Sequence, residues 1–241
     1  MNELSIVIPC LYSIENLSAF IDRLSQYLTA NPGDINVIIV LNEKAPLPDM
    51  ISTYVKEHYP WLRLRILQRF GVTQNYGALV RFGIAYSSSK YVVLVSPYGD
   101  DDLSIIREML TRIRKGFQVV QATRYSSAEN ASRVKSRFRM YQHIYRFLTR
   151  LFLGLKISDS TSSFKMFDRA FIQAIGLTNN GYSVCPEVTI KCLLAGGKVD
   201  YIASTVQTND VSSHFRLRRE GFGYLLLLMR GFLHRLGISW F

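Results

Sequence analysis

The sequence contains no hydrophobic run that could cross a membrane, although 48% of its 241 residues are hydrophobic. A spanning helix needs about 18 to 20 apolar residues in succession. The longest candidate lies at the C-terminus, where Arg230, His234 and Arg235 interrupt the stretch GFGYLLLLMRGFLHRLGISWF. The N-terminal residues also lack the basic and small-residue segments of a signal peptide. We therefore expect a cytoplasmic protein without a spanning helix.

Cysteine is scarce, and the three cysteines, Cys10, Cys185 and Cys192, form no C-x-x-C pair. Their small number and spacing indicate reduced thiols in a cytosolic setting and no disulfide framework. Isolated cysteines usually pack as small apolar residues. We expect all three thiols to be reduced and buried.

Acidic residues are also in short supply, since 18 Asp and Glu face 29 Lys and Arg and leave a net charge of +11. Residues 130–158 include no acid at all, and their basic residues are Arg133, Lys135, Arg137, Arg139, Arg146, Arg150 and Lys156. Such an excess indicates an anionic partner, which is nucleic acid, a phosphorylated ligand or an acidic membrane surface. No DNA- or RNA-binding motif is present, so we favour the last two.

Strand-like apolar runs alternate with segments of helical spacing through the first half of the chain. The five strand-like runs are 4–10, 35–42, 62–69, 91–96 and 117–123. This alternation predicts an α/β fold with a mostly parallel central sheet and helices on both faces. In such sheets ligands bind beyond the carboxyl ends of the strands. We therefore expect the site near residues 9–13, 42–45 and 96–102.

Two amphipathic helices are predicted in the second half of the chain. The first sets an apolar face against a basic face, formed respectively by Phe138, Tyr141, Tyr145, Leu148 and Phe152 and by Arg139, His143, Arg146 and Arg150. That basic face is either merely solvated or a binding surface. The second, at the C-terminus, gathers apolar residues on one side: Phe222, Leu225, Leu226, Met229, Phe232, Leu233 and Leu236. It is either a core helix or an in-plane membrane helix, and Trp240 with the preceding basic run favours the latter.

Several stretches, taken in order, resemble one enzyme family. They include NYGALVRFGIAYSSSKYVVLVS (75–96), RLFLGLKISDSTSSFKMFDR (150–169) and NNGYSVCPEVTIKCLLAGGKV (179–199). Over residues 4–216 the chain resembles the family-2 inverting glycosyltransferases of GT-A fold, and among them the polyprenyl-phosphate sugar transferases, such as dolichyl-phosphate mannose synthases. The resemblance implies one GT-A domain (1–216), with a nucleotide-sugar half (1–123) and an acceptor half (124–216), before a C-terminal amphipathic helix (217–241).

The resemblance implies that the ends of the first, second and fourth strands bind the nucleotide sugar. The family's acids are missing there, because Ser96-Pro97-Tyr98 stands where an Asp-x-Asp metal motif is usual. Asn42-Glu43 likewise replaces a usual Asp-Asp pair. In relatives a basic loop also closes over the diphosphate. The implied nucleotide-sugar-binding residues are Pro9, Leu11, Asn42, Glu43, Ser96, Tyr98, His214 and Arg216.

Three aspartates, Asp100 to Asp102, come shortly after the missing metal motif. Asp102 precedes LSIIREML and is a good N-cap for the next helix. The alternative is a relocated site for a divalent cation, Mg or Mn, with Asp100 as its ligand. We expect such a cation to matter less than in relatives, because Ser96 and Tyr98 cannot replace two carboxylates.

The acceptor half retains more of the family pattern. The residues that match those around the acceptor phosphate of relatives, and are therefore the implied catalytic residues, are Arg124, Arg133, Ser136 and Glu187. Asp159, Thr161 and Ser162 match a turn that supports the acceptor loop, and Ser163 replaces the family's glycine in it. Guanidinium groups and hydroxyls suit a phosphate dianion.

The resemblance implies an enzyme that moves a sugar, with inversion, from a nucleotide sugar to polyprenyl phosphate or a similar lipid-phosphate acceptor. It would lie peripherally on the inner face of the cell membrane and take part in building cell-envelope polysaccharide. The alternative is a catalytically silent GT-A domain that binds nucleotide, lipid phosphate or a partner enzyme, which the missing acids favour. Nucleic acid is not expected as a partner.

Overall fold

A computed structural model describes residues 2–11, 17–30, 33–43, 48–71, 75–98, 101–132, 134, 136–204, 217–239 and 241. The strands are β1 (Leu4–Cys10), β2 (Ile35–Asn42), β3 (Leu64–Arg69), β4 (Tyr91–Leu94), β5 (Val119–Thr123), β6 (Lys165–Asp168) and β7 (Val199–Ala203). The helices are α1 (Leu17–Ala30), α2 (Pro48–His58), α3 (Tyr76–Tyr86), α4 (Ile106–Arg114), α5 (Ala128–Ser132), α6 (Ser136–Leu153), α7 (Arg169–Ile175), α8 (Val184–Leu194) and α9 (Leu217–Arg235).

The strands form one sheet in the order β3-β2-β1-β4-β6-β5-β7. Among the described residues, β6 alone runs antiparallel to its neighbours β4 and β5. The predicted α/β fold with a mostly parallel sheet is therefore confirmed. Strands β6 and β7 were not predicted, because KMFD and VDYIA are short and carry charged residues. The predicted strands at 62–69 and 117–123 begin two residues later than expected, and the one at 91–96 ends two residues earlier.

Helices cover both faces of the sheet because the strands alternate their side chains between two apolar clusters. Ile6 and Ile8 of β1 pack with α1, α2 and α4 on one face. Val7, from the same strand, packs with α3 and α8 on the other. A third cluster lies farther out and joins α6, α8 and α9: Tyr145, Leu153, Ile157, Ile190, Tyr224, Leu227, Leu228 and Phe241. Cys10, Cys185 and Cys192 are buried free thiols, as predicted.

Helix α6 is rotated relative to the prediction. Its buried residues are Gln142, Tyr145, Thr149 and Leu153, whereas Phe152, which was expected inside, is 39% exposed. The rotation has a polar cause, since Gln142 is held inside by hydrogen bonds from the backbone and hydroxyl of Ser160. Periodicity counts apolar side chains and cannot register a glutamine that is buried for its hydrogen bonds.

Helix α9 packs on the third cluster with one face and exposes apolar side chains on the other. Its inner face holds Tyr224, Leu227 and Leu228. Its outer face exposes Phe222, Leu225, Met229 and Phe232, and Leu236, just beyond the helix, is exposed as well. The helix thus has a core face and an exposed apolar face, and an in-plane position in a membrane stays a prediction. No helix in the described part of the chain is long and apolar enough to span a membrane.

Gly83 lets α3 lie close against the sheet. A Cβ added to Gly83 would sit 2.4 Å from Val7 Cγ1 and 3.0 Å from Val40 Cγ2. We expect Gly83→Ala to lower the free energy of unfolding by about 1–2 kcal/mol, because overpacking outweighs the gain in helix propensity. Chemical denaturation measures the change. Gly33→Ala is the matched control, since its Cβ would meet its nearest neighbour at 3.6 Å; equal stability of the two variants would contradict the close approach.

Candidate active site

A buried ion pair lies at the carboxyl end of β5. Arg124 Nε donates to Asp159 Oδ2 at 2.7 Å, and Arg124 Nη2 donates to Asp159 Oδ1 at 2.8 Å. The backbone amides of Thr161 and Ser162 each donate to the same Oδ1 at 3.1 Å. The side chain of Asp159 is fully buried, while that of Arg124 is 26% exposed. The carboxylate of Asp159 thus holds both Arg124 and the turn that follows Asp159 itself.

The electrostatics of the pair keep both groups charged. Burial by itself raises the pKa of Asp159, but the charge and hydrogen bonds of Arg124 outweigh burial and hold that pKa below its usual value. Burial lowers the pKa of Arg124, but the charge of Asp159 and its hydrogen bonds, with smaller contributions from Tyr125 and Asp101, together raise that pKa above its usual value. The guanidinium is therefore a permanent cation at this end of the sheet.

Arg124 retains donors for a ligand. The bonds to Asp159 use Nε and one proton of Nη2, and the second Nη2 proton goes to Thr161 Oγ1 at 2.7 Å. A guanidinium has five N–H donors, so the two on Nη1 are not used by bonds within the described residues. The ring of Phe138 lies 5.4 Å from the guanidinium carbon and supports its flat face. The arginine is held on one edge and can bind an anion with the other.

The turn after Asp159 is held from α6 as well. Gln142 Nε2 donates to Thr161 Oγ1, and Gln142 Oε1 accepts from Ser160. No described residue other than glycine has a positive φ, so Ser163 fits the turn where relatives have glycine. Ser162 contributes its backbone amide to Asp159. The three predicted supporting residues, Asp159, Thr161 and Ser162, are therefore brought together with Arg124.

The other predicted catalytic residues are placed differently. Ser136 is exposed at the start of α6, and Arg133 lies outside the described residues. Glu187 is fully buried in α8, where its carboxylate accepts from the Thr178 amide at 2.8 Å and the Asn179 amide at 3.0 Å and pairs with Lys191 at 3.2 Å. In this position Glu187 stabilises the loop before α8. A catalytic role for Glu187 stays a prediction.

The ends of β1 and β2 meet through a side chain. Asn42 Nδ2 donates to the carbonyl of Leu11 and ties the two strand ends together. Pro9 is buried within β1, and Glu43 is exposed just beyond β2. The predicted nucleotide-sugar residues of these two strands thus share one edge of the sheet. His214 and Arg216 lie outside the described residues.

The end of β4 involves an aspartate that the sequence analysis did not select. Asp101 Oδ2 accepts from the Ser96 amide at 2.7 Å, so the carboxylate folds back onto the strand end. Asp102 accepts from the Ser104 amide at 3.1 Å, which confirms its predicted capping role. Asp100 lies outside the described residues. The run of three aspartates was the available signal, but their spacing could not tell which one turns back.

Within the described part of the chain, this edge of the sheet offers few ligands for a divalent cation. No group of three or more His, Cys, Asp or Glu side chains gathers there. Asp101 is the carboxylate that reaches the end of β4, beside Ser96 and Tyr98. Because a hard cation takes about six oxygen ligands, these residues fit a cation only if a bound diphosphate and water supply most of them.

An apolar pocket of about 290 Å³ opens beside the ion pair, between α6 and α9. Its apolar lining includes Phe138, Tyr141, Ile144, Tyr145, Leu148, Tyr224 and Leu225. Gln142, Ser160 and Thr161 also line the pocket, although their polar atoms contribute almost none of its surface. Thr161 is therefore shared by the pocket and by the hydrogen bonds of Arg124.

The mouth of this pocket lies among exposed apolar side chains. Helix α6 exposes Met140, Ile144, Phe147 and Leu151 in one line, beside the outer face of α9. The rings of Phe152 and Phe232 meet at 5.7 Å between the two helices. We call this surface, formed by the outward apolar residues of α6 and α9, the apolar platform. Arg146, one of the residues of the predicted basic face, donates from Nε to the carbonyl of Ile157.

The sheet order, the strand-end edge and the ion pair agree with the match of one family model. The model for glycosyl transferase family 2 covers residues 5–176. The chain belongs to glycosyl transferase family 2. An uncharacterized glycosyltransferase from Synechocystis sp. is 25% identical over 177 residues, which are 72% of this chain. The chain spans about half, 52%, of the length of that curated relative.

Solved structures of several glycosyltransferases share the fold. Mannosyl-3-phosphoglycerate synthase from Rubrobacter xylanophilus superposes with a TM-score of 0.69 at 14% identity, covering 99% of this chain and 76% of that one. Glucosyl-3-phosphoglycerate synthase from Mycobacterium tuberculosis, in complex with Mn²⁺, UDP and phosphoglyceric acid, has a TM-score of 0.64 at 16% identity, covering 99% and 80%. S. aureus TarS in complex with UDP-GlcNAc has a TM-score of 0.60 at 12% identity, covering 96% and 66%.

Asp159→Asn tests whether the ion pair organises this family-2 site. We expect the free energy of unfolding at pH 7 to fall by about 3 kcal/mol, because a buried cation loses its counter-ion. The folded pKa of Asp159 lies below its usual value of 3.8. The unfolded chain therefore takes up the proton first, and the stability from the pair is present above about pH 4 and is lost below it. Urea denaturation between pH 7 and pH 3 should show wild type and variant converging in acid.

The control for this variant is Asp34→Asn, which removes an exposed ion pair with Arg63. An exposed pair contributes about 1 kcal/mol or less. An Asp159→Asn protein that is no less stable than Asp34→Asn would contradict the organising role of Asp159.

Proposed function

We propose that this chain is an inverting transferase that moves a sugar from a nucleotide sugar to a polyprenyl phosphate or similar lipid phosphate at a membrane surface. One observation carries the proposal. Thr161 lines the apolar pocket between α6 and α9, and it accepts a hydrogen bond from Arg124. A cation linked through one threonine to an apolar pocket suits an amphiphile with a phosphate head.

The phosphate head is proposed to bind the free edge of Arg124. Charge-assisted bonds to a guanidinium are among the strongest hydrogen bonds in proteins, and the two Nη1 donors face away from Asp159. Arg133 and Ser136, which match acceptor residues of the family by sequence, would add a second cation and a hydroxyl. The first part of the lipid chain would then enter the pocket past Tyr141 and Leu225.

The chemistry needs few protein groups. A phosphate oxygen of the acceptor attacks the anomeric carbon, and the bond from that carbon to the nucleoside diphosphate breaks with its electron pair going to the diphosphate. A phosphate dianion has no proton to lose, so no general base is required. The chain would contribute alignment at the edge formed by β1, β2 and β4, and positive charge near the leaving group.

A divalent cation, Mg or Mn, would supply charge stabilisation to the leaving diphosphate when bound. Similar solved structures carry Mn²⁺ or Mg²⁺ with UDP. Asp101 would be a ligand of such an ion, because its carboxylate lies at the end of β4. His214 and Arg216 belong to the proposed diphosphate loop, and we propose that they take over part of the neutralisation.

The apolar platform supports a position on the inner face of the cell membrane. Phe147 is 64% exposed on α6, and Phe222 is 74% exposed on α9. Exposed basic side chains lie on the same two helices, including Arg137, Arg150 and Arg235. Apolar residues next to cations suit the interface of an anionic bilayer, where lipid phosphates present their heads.

A silent binding domain is the second candidate function. The replacement of the Asp-x-Asp motif by Ser96-Pro97-Tyr98 favours it, and Asp101 restores only one carboxylate at that strand end. Such a domain would retain lipid-phosphate or nucleotide binding without transfer. The two candidates differ in whether a glycosylated product forms.

A product assay distinguishes the candidates. We expect the protein to transfer radiolabelled sugar from at least one of UDP-Glc, UDP-GlcNAc and GDP-mannose to undecaprenyl phosphate, but not to 3-phosphoglycerate. Thin-layer chromatography detects the product, with Mn²⁺ or with EDTA. Nucleotide binding without product in all arms would establish the silent domain. Transfer to 3-phosphoglycerate instead would overturn the lipid acceptor.

The same assay tests the pocket with a matched pair of exposed α6 residues. Ile144→Trp should narrow the pocket and raise KM for undecaprenyl phosphate roughly tenfold, with KM for the donor unchanged. Phe147→Trp lies on the same helix but does not line the pocket, and it should behave as wild type. Equal effects of both substitutions on KM would contradict binding of the lipid chain in the pocket.

Vesicle flotation tests the platform. Wild type should float with phosphatidylglycerol-rich vesicles at low salt, and less so at high salt because salt screens the cations. The variant Phe147→Glu/Leu151→Glu/Met229→Glu should stay unbound. Its control, Met50→Glu/Trp61→Glu/Phe70→Glu, changes the charge equally at exposed apolar residues elsewhere. Loss of binding in both variants, or in neither, would contradict docking through the platform.

A further inference from the structure

A lysine lies in the core of the sheet, where burying its charge costs free energy. Lys165 of β6 is fully buried, and its Nζ donates to Gln121 Oε1 at 2.9 Å, to the carbonyl of Cys185 at 2.6 Å and to Thr189 Oγ1 at 2.6 Å. All three acceptors are neutral. A well-packed apolar residue usually replaces such a buried ion without loss of stability, so packing alone does not explain this lysine.

The ammonium group determines the orientation of the Gln121 amide. An ammonium can only donate, so the oxygen of Gln121 must face Lys165, and it also accepts from Thr189 Oγ1 at 2.9 Å. The amide nitrogen must then point the other way. It donates to the backbone carbonyl of Asp159.

The backbone of Asp159 is therefore held from the core side, while its carboxylate holds Arg124. The hydrogen bonds run from Lys165 through Gln121 to Asp159 and on to the arginine. Gln121 lies opposite Lys165 in the pairing of β5 with β6. The antiparallel insertion of β6 thus brings the lysine beneath the ion pair.

From this geometry we infer that Lys165 is a positioning residue for Arg124, acting through Gln121 and the backbone of Asp159. The inference rests on the proposed function in taking Arg124 as the binder of the acceptor phosphate. The affinity of the site for phosphate then depends on the charge of Lys165, which the ligand does not contact.

The charge of Lys165 is sensitive to mildly alkaline solution. Burial lowers the pKa of Lys165 to about 8. The charged or titratable groups that influence it are Asp159, Arg124, Cys185 and Cys192, and burial raises the pKa of both thiols to about 12. Between pH 7 and pH 9.5, Lys165 is therefore the member of this group that loses its proton. A neutral amine has one donor fewer, and the hold on Gln121 weakens.

Calorimetric titration with citronellyl phosphate, a short isoprenoid phosphate, tests the inference without requiring turnover. We expect Kd for wild type to rise several-fold from pH 7 to pH 9.5. Lys165→Met should raise Kd roughly tenfold at pH 7, the effect of one or two lost hydrogen bonds, and abolish the change with pH. Gln121→Glu keeps a partner for Lys165 but removes the donor to the Asp159 carbonyl, so it should also weaken binding at pH 7.

Met166→Ala is the matched control, because Met166 is the next residue of β6, fully buried and packed in the cluster on the opposite face. It should destabilise the fold without changing Kd below its unfolding temperature. Wild-type affinity in Lys165→Met and Gln121→Glu, or an equal loss in Met166→Ala, would overturn the inference. Wild type that binds the phosphate but transfers no sugar would overturn the proposed function and leave the role of Lys165 standing. Wild type that does not bind the phosphate would overturn both.

Discussion

The ion pair between Asp159 and Arg124 is the constraint on which the acceptor side of this protein depends. A buried carboxylate is stable only if its charge and its lone pairs are matched. Asp159 meets this requirement with the arginine at the end of β5 and with the amides of its own turn. The turn, the strand end and the arginine are therefore joined in one hydrogen-bonded unit.

The surroundings of this unit follow from its hydrogen bonds. Gln142 turns inward to reach Ser160 and Thr161, and this rotates α6 so that Ile144 and Phe147 point outward. The apolar pocket lies between α6 in this orientation and α9. From the core, Lys165 and Gln121 hold the other side of the turn. The polar network thus determines which apolar side chains of α6 are exposed, because burying Gln142 turns the opposite side of the helix outward.

The donor side is built differently and more sparsely. The strand ends of β1 and β2 are joined by Asn42 and Leu11, and Asp101 returns to the end of β4. The acids that relatives concentrate here are largely replaced. A transferase with this edge must rely on basic residues and the ligand's own oxygens to a greater degree. The contrast between a well-organised acceptor side and a reduced donor side is the main chemical feature of the chain.

The sequence by itself determined the fold class, the buried cysteines, the cap at Asp102 and the grouping of Arg124 with the turn at Asp159. These features depend on local alternation, on local capping chemistry or on motifs kept in order, and all of them can be read along the chain. The acid-free stretch and the C-terminal apolar stripe likewise predicted helices in the right places.

Only the tertiary structure decided the rotation of α6, the insertion of β6 and the return of Asp101 to β4. It also decided that the Glu187 carboxylate accepts hydrogen bonds from the loop before α8 and that Lys165 lies beneath the ion pair. Each of these outcomes depends on polar groups that find partners far away in the chain. A buried polar side chain is placed by its hydrogen-bond partner and not by its own hydrophobicity. The periodicity of the sequence therefore does not predict its position.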